Sequence, residues 1–171
     1  QTCVAPDYCL IDESVKDEFM QLLKKRLLTF YTDTPEDSRD YGRIINESSM
    51  SRLIKQLEYD QLFIYQGGHY NYAEKYIEPT ILLAELSDDL LSMKEEIFGP
   101  ILPILSYQEL EEAILFIEQK GKPLAFYPFS SNKEELEMLL DRLDYGGATV
   151  NDTLLHLSNE NLPFGGVGES G

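Results

Sequence analysis

The sequence predicts an α/β fold with a mostly parallel sheet and helices on both of its faces, in three layers. Short apolar runs alternate along the chain with longer segments whose apolar residues recur at helical spacing. Strands separated by helices favour a parallel sheet, because a parallel pair needs a long crossover connection. Hydrophobic residues make up 43% of the 171 residues, which is enough for a packed core of one domain.

The first predicted elements are a strand and an amphipathic helix. Residues 8–11 form a short apolar run with strand character, and Ser14 is the candidate cap of the helix that follows. Apolar residues then recur at helical spacing over residues 15–30. The basic residues 24–26 come late in this segment, where positive charge suits the negative end of a helix.

A second helix and two strands are predicted next. Residues 50–57 have helical apolar spacing, and residues 62–65 form a strand that the two glycines 67–68 close. Residues 76–86 are apolar but contain Pro79, which has no backbone N–H to donate within a sheet. They therefore predict an edge strand or an irregular one.

The second half of the chain repeats the pattern of strand followed by helix. Residues 101–107 predict a strand, and Ser106 with Glu109 forms a candidate capping box for the next helix. Asn132 and Glu135 form a similar pair at the start of the last helix. The remaining predicted strands are residues 124–129 and 148–150.

The charge of the chain excludes several partner classes. Lys and Arg total 14 and Asp and Glu total 31, so the formal net charge is −17. Binding to nucleic acid phosphates or to an anionic membrane surface is not expected, since both need a surplus of positive charge. No apolar run approaches the roughly 18 residues of a membrane span, and no export signal is visible. Two cysteines are too few for a disulfide framework, so we expect a cytoplasmic protein.

Both ends of the sequence are unusual for a complete domain. The chain starts at Gln1, with no initiator Met, and stops inside the glycine-rich residues 163–171. Folded domains usually end after a helix or a strand. We therefore expect this chain to be a fragment of a longer protein.

Cys3 is the first candidate for chemistry. It precedes a predicted turn and helix start, where backbone N–H groups and the helix dipole would favour the thiolate. The alternative is an inert thiol near the chain end. Cys9 lies in a predicted strand and is interpreted as a small core residue.

The histidines and the last glycines carry weaker signals. His69 and His156 have no Cys or His nearby at metal spacing, so we predict no metal site. His69 lies in a polar loop and should be solvated, whereas His156 is a candidate pocket residue. Residues 166–171 match GxGxxG, but no helix or acidic residue follows them, so they are not interpreted as a dinucleotide fingerprint.

The segment EEIFGP, residues 95–100, has two possible meanings. It is either a loop with a core aromatic, or a ligand-binding turn. In the second case a carboxylate would accept hydrogen bonds from ligand hydroxyls beside an aromatic side chain that packs a ring.

Taken together, three segments resemble the catalytic domain of aldehyde dehydrogenases in order and spacing. They are residues 1–8 (QTCVAPDY), 95–100 (EEIFGP) and 162–171 (LPFGGVGESG). Further segments resemble the class 3 branch, which acts on fatty and aromatic aldehydes. These are residues 5–8 (APDY), 38–45 (SRDYGRII), 76–81 (YIEPTI), 122–125 (KPLA) and 129–132 (FSSN). The resemblance covers nearly the whole chain.

The resemblance implies a role for particular residues. Cys3 matches the nucleophile, which forms a thiohemiacetal with the aldehyde and then a thioester, after hydride transfer to NAD or NADP. Its backbone N–H would supply half of an oxyanion hole. Glu96 matches the carboxylate that holds the nicotinamide ribose hydroxyls, and Phe98 the aromatic that packs near the nicotinamide. Asn151 and the turn at residues 163–165 match supporting positions.

The resemblance also implies what lies outside the chain. Residues 1–171 correspond to the catalytic domain, whereas the general base, the second oxyanion donor, most of the cofactor-binding domain and a C-terminal oligomerisation tail are absent. The parent protein is then a homodimer that oxidises a small aldehyde, and the isolated chain should have no dehydrogenase turnover. Two alternatives remain, a thiol-dependent esterase and a non-catalytic truncated oligomerisation or interaction module. Acyl-phosphate reductases share the thiol chemistry but fit the motifs less well.

Overall fold

The computed structural model describes residues 1–170, so Gly171 of the glycine-rich run lies outside the described residues. The chain divides into two compact units. The first contains Gln1 and Pro6–Gln108, and the second contains Thr2–Ala5 and the residues from Glu109 onward. Helices and a mostly parallel sheet confirm the predicted α/β fold class.

The first unit holds a four-stranded sheet and two helices. In chain order its elements are β1 (Cys9–Asp12), α1 (Lys16–Tyr31), α2 (Glu47–Tyr59), β2 (Ile64–Gln66), β3 (Tyr70–Asn71), β4 (Tyr76–Ile77), β5 (Thr80–Glu85) and β6 (Ile101–Tyr107). The sheet order is β1-β6-β5-β2. Strands β1 and β5 both pair with β6 in parallel, and β2 joins β5 antiparallel at the edge. Strands β3 and β4 form a separate two-stranded ribbon.

Strand β5 corrects one prediction. The apolar segment 76–86 was expected to be an edge or irregular strand because of Pro79. Instead Pro79 lies between β4 and β5, where no ladder hydrogen bond is lost, and β5 is an interior strand. Its register with β6 places Leu83 opposite Ile104.

Both faces of the sheet are buried. On one face Met20 of α1 packs in a cluster with Ile11, Ile81 and Ile104. Leu82 points to the opposite face because side chains alternate along a strand, and it is fully buried as well. Burial on both faces explains why these strands are continuous apolar runs in the sequence.

The ends of α1 differ from the prediction. The helix begins after Val15, which makes no side-chain cap, whereas the Ser14 hydroxyl and N–H donate to the Asp12 carboxylate. The predicted Ser14 cap is therefore wrong. The helix continues to Tyr31 with no basic residue in its last turn, so residues 24–26 lie too early to interact with its C-terminal dipole.

The second unit contains two helices and a two-stranded parallel sheet. Its elements are α3 (Leu110–Lys120), β7 (Ala125–Phe126), α4 (Lys133–Arg142) and β8 (Gly147–Ala148). Glu109 is the N-cap of α3 and forms the capping box with Glu112, so the predicted pairing of Ser106 with Glu109 is wrong by three residues. Asn132 caps α4 as expected, by accepting from two backbone N–H groups.

Candidate functional site

Cys3 lies in a short turn and is exposed. The Ala5 N–H donates to the Thr2 carbonyl across 3.1 Å, which closes the predicted turn. The next element along the chain is strand β1, so the predicted helix start directly after Cys3 is wrong. Its exposure leaves it open to a reagent in solution.

Cys9 is in a different environment, although only six positions away. It lies in β1, is half-buried and packs against the core cluster that contains Ile11 and Ile104. Burial raises the pKa of the Cys9 thiol to about 11, because the thiolate would lose its hydration. The thiol therefore stays protonated near neutral pH, and the prediction of a core cysteine is confirmed.

The EEIFGP segment places its aromatic at the surface. Ile97 is the core residue, at 1% exposure, whereas Phe98 is 40% exposed and has a φ of 45°. The interpretation of Phe98 as a core aromatic is therefore wrong. A left-handed backbone at a non-glycine residue is sparsely populated and has to be held by its surroundings.

Two side chains hold this backbone in place. The Asp7 carboxylate accepts from the Ile97 N–H at 2.8 Å. Arg52 of α2 donates to the Ile97 carbonyl at 2.6 Å and to the Glu96 carbonyl at 3.3 Å. Charge-assisted hydrogen bonds of this kind fix the turn that presents Phe98.

Glu96 and Phe98 line one groove of about 810 Å³ in the first unit. The Glu95 carboxylate, also in its lining, is engaged by Arg52 at 3.6 Å and by Gln56 at 3.4 Å. Within residues 1–170 the Glu96 carboxylate makes no ion pair or hydrogen bond. The groove therefore offers an unpaired acceptor beside an exposed aromatic ring, as the ligand-binding interpretation of this segment expects.

Asn151 and the glycine turn serve as internal supports in the second unit. The Asn151 side chain accepts from the Ser130 N–H and donates to the Ser130 carbonyl, each at 3.0 Å. Gly165 has a φ of 85°, and a Cβ there would lie 2.4 Å from the Gly146 carbonyl oxygen. Glycine is thus required by both conformation and space.

The two histidines lie in different environments. His69 is exposed, as predicted. His156 is buried, with Nδ1 3.0 Å from the Thr149 hydroxyl and Nε2 without a partner. Across residues 1–170 no three His, Cys, Asp or Glu side chains gather as a metal-binding group. The helices within this range also include none that is long and apolar enough to cross a membrane.

Comparison with known proteins decides the family. The aldehyde dehydrogenase family matches residues 1–171. The chain belongs to the aldehyde dehydrogenase family. This confirms the resemblance that its cysteine, EEIFGP and glycine-rich segments indicated.

Individual relatives match over the full length of the chain. A Staphylococcus aureus protein named 4,4'-diaponeurosporen-aldehyde dehydrogenase is 52% identical, and a rat protein named "Aldehyde dehydrogenase, dimeric NADP-preferring" is 46% identical. Each alignment covers all of this chain and 37% of the relative. The solved structure "Substrate bound state of Staphylococcus Aureus AldH" has a TM-score of 0.94 at 50% identity, over 99% of this chain and 37% of that one. The chain thus spans little more than a third of the length of these aldehyde dehydrogenases.

Sequence reasoning missed the residues that support the site. No sequence pattern marks Arg52 as a supporting residue, because a single arginine within an amphipathic helix is usually solvated. Tyr127, whose hydroxyl donates to the Val4 carbonyl at 2.7 Å, is 123 positions away from its partner. The Asp7 contact with Ile97 spans 90 positions. No local pattern predicts such long-range hydrogen bonds.

Proposed function

We propose that this chain carries the nucleophile and part of the cofactor site of an NAD(P)-dependent aldehyde dehydrogenase, which oxidises aldehydes to carboxylic acids. The observation that carries the proposal is the exposure of Cys3, in contrast to the half-buried, protonated Cys9. Family membership and the names of the relatives support the reaction class.

Cys3 provides the covalent chemistry. Its thiolate adds to the carbonyl carbon of the aldehyde, and the carbonyl oxygen becomes the hydroxyl of a thiohemiacetal. A bound nicotinamide cofactor would supply the hydride acceptor for that carbon, and the thiohemiacetal hydroxyl would give up its proton. Cys3 then holds a thioester, and attack by water releases the carboxylic acid and restores the thiol. The Cys3 backbone N–H is proposed to stabilise the oxyanion in the addition and hydrolysis steps.

Glu96 and Phe98 are proposed to hold the nicotinamide half of the cofactor. The Glu96 carboxylate is exposed and has no partner in the described chain, so it can accept hydrogen bonds from a ribose diol. The exposed Phe98 ring offers an apolar surface on which a flat ring can pack. Arg52 and Asp7 keep this turn rigid, which preserves the spacing between carboxylate and ring.

Other parts of the enzyme are proposed to lie in sequence outside this chain. The chain spans 37% of the length of the relatives, so the general base, the second oxyanion donor and the adenosine site can be supplied by the remainder. Residues 1–171 are then the catalytic domain. We also propose that the parent protein is a homodimer, which agrees with the word "dimeric" in the rat relative's name. The cytoplasmic location stays a prediction.

The test is NAD(P)H formation from an aromatic or medium-chain aldehyde by the longer protein that contains this chain. Cys3→Ala should lower turnover by at least about 10³-fold, because no other group can form the thioester. Cys9→Ala is the matched control and should keep turnover within about threefold of the unchanged protein. It removes only one sulfur atom at the periphery of a core cluster. Retained turnover in Cys3→Ala, or its loss in Cys9→Ala alone, would contradict the proposed nucleophile.

A thiol-dependent esterase is the second candidate, which the exposure of Cys3 also supports. Hydrolysis of a p-nitrophenyl ester without NAD(P) distinguishes it. Cys3-dependent ester hydrolysis with no aldehyde oxidation would favour the esterase. Absence of both reactions would favour a non-catalytic oligomerisation or interaction module.

A further inference from the structure

We infer that Tyr127 is a positioning residue for the Cys3 turn, acting through the Val4 carbonyl. The inference rests on the proposed role of Cys3 as the nucleophile. It concerns a residue outside the cysteine, EEIFGP and glycine-rich segments, and all the groups involved belong to the second compact unit.

The contact lies directly beside the nucleophile in sequence. The Tyr127 hydroxyl donates to the Val4 carbonyl at 2.7 Å, and the Val4 side chain is 5% exposed. The peptide that follows Cys3 is thus anchored by a buried side chain and by a side-chain hydrogen bond. Cys3 itself remains exposed, so the anchor limits its orientation without covering it.

The electrostatics of Tyr127 agree with this proximity. Burial raises the pKa of the Tyr127 hydroxyl, a hydrogen bond from the Leu154 backbone lowers it, and the nearby Cys3 raises it. The protonated phenol is the form that donates to Val4.

Tyr127 is itself fixed from two sides. Its ring lies 5.9 Å from the His156 ring, and His156 is held by the Thr149 hydroxyl through Nδ1 and through its backbone N–H. Leu154, two residues before His156, has a φ of 64°. A left-handed leucine costs conformational energy, so the surrounding contacts must favour this backbone arrangement.

Loss of the hydroxyl has a specific expected consequence. The Cys3 turn would sample more orientations, and the thiol would spend less time aligned with a bound aldehyde carbonyl. Misalignment of a nucleophile lowers the rate of the chemical step more than it weakens substrate binding. Reaction with a small alkylating reagent needs no such alignment.

The experiment uses Tyr127→Phe in the longer protein, which removes one oxygen and keeps the ring beside His156. We expect kcat for aldehyde oxidation to fall about tenfold while KM changes by less than about threefold. Alkylation of Cys3 by iodoacetamide, followed by intact mass, should stay within about twofold of the unchanged protein.

A matched control separates positioning from stability. Tyr145 is also half-buried, and its hydroxyl donates to the Leu140 carbonyl at 3.2 Å at the end of α4. Tyr145→Phe should lower the Tm comparably and leave kcat unchanged. Tyr127→4-aminophenylalanine restores an N–H donor on the same ring and should recover most of kcat.

Two results would overturn the inference. One is a Tyr127→Phe protein with a lowered Tm and an unchanged kcat. The other is a 4-aminophenylalanine variant that recovers the Tm but not kcat. Failure of the proposed function gives a different pattern, in which Cys3→Ala itself retains turnover. Loss of turnover in Cys3→Ala together with full kcat in Tyr127→Phe would reject the positioning role alone.

Discussion

The two compact units are stabilised in different ways. The first unit is built on a sheet whose interior strands are buried on both faces, with Leu82 and Ile104 fully inaccessible. The second unit has a thinner core, and much of its last third is exposed apolar surface. Its exposed large residues include Phe129, Val150, Leu154, Leu155, Leu157, Leu162 and Phe164.

Polar contacts and constrained backbone replace apolar packing in the second unit. Asn151 bonds both backbone groups of Ser130, and Tyr127 bonds Val4. Asn151 and Leu154 both have left-handed φ values. The proposed nucleophile therefore belongs to the unit that has fewer buried apolar residues.

The largest expected effect is in the core of the first unit. Ile104→Ala should lower the free energy of unfolding by about 4 kcal/mol, because it leaves a cavity among Ile11, Met20 and Ile81. Leu155→Ala in the second unit should cost less than about 1 kcal/mol, since that side chain is 57% exposed. Urea unfolding measures both. Equal costs would break the comparison.

The next largest effect is expected at Gly146, where backbone segments of the second unit approach each other closely. A Cβ on Gly146 would lie 2.1 Å from the Gly165 carbonyl oxygen and 2.6 Å from that of Leu124. Gly146→Ala should therefore destabilise by about 3 kcal/mol. Gly42→Ala in the first unit meets no atom within 4 Å and should change stability by less than about 0.5 kcal/mol. Thermal unfolding of both variants distinguishes a steric clash of the new Cβ from a general effect of replacing glycine.

A smaller effect separates hydrogen bonding from strain at Asn151. Asn151→Ala loses both bonds to Ser130 and keeps a side chain at a φ of 55°, so we expect a cost of about 2 kcal/mol. Asn151→Gly loses the same bonds without the conformational penalty and should cost about 1 kcal/mol less. Urea unfolding is again the measurement. A glycine variant no more stable than the alanine variant would show that strain is unimportant here.

The smallest effect concerns the surface ion pairs of the second unit. Arg142 donates twice to the Glu111 carboxylate, at 2.6 Å each, and these bonds hold the pKa of Glu111 below its usual range. A carboxyl group whose pKa is lowered in the folded state stabilises the fold at pH values above its ordinary pKa. This contribution to stability is lost as the pH falls through the folded-state pKa. Arg142→Gln should be slightly less stable than the unchanged chain near pH 7, and the difference should shrink as the pH falls below the ordinary pKa of a glutamate. A difference that grows in acid would contradict this assignment.

Prediction from the sequence worked where local pattern determines structure. Asn132 caps α4 because its short side chain reaches nearby backbone N–H groups, and the apolar spacing of residues 50–57 marks the buried side of α2. It failed where contacts between residues distant in sequence determine the local structure. The sequence does not indicate that Ile97, rather than the larger Phe98, is buried, because the φ of Phe98 is set by long-range bonds to its neighbours.

The motif resemblance proposes Cys3, Glu96 and Phe98 as site residues, and these roles stay predictions. The structure adds that Glu96 and Phe98 line one groove, which the sequence alone does not indicate. The helix expected directly after Cys3 is replaced by strand β1. The hydrogen bond from the Tyr127 hydroxyl to the Val4 carbonyl could not be inferred, because no local spacing relates positions 4 and 127.

The most direct test of the account is to trap the acyl group on the protein. The longer protein is incubated with an aromatic aldehyde and NAD(P)⁺ and quenched in acid, which preserves a thioester. Cleavage before Asp7 places Cys3 and Cys9 on different peptides for mass spectrometry. We expect the acyl mass on the Cys3 peptide and its loss in Cys3→Ala. An acyl group on the Cys9 peptide, or aldehyde oxidation that persists in Cys3→Ala, would contradict it.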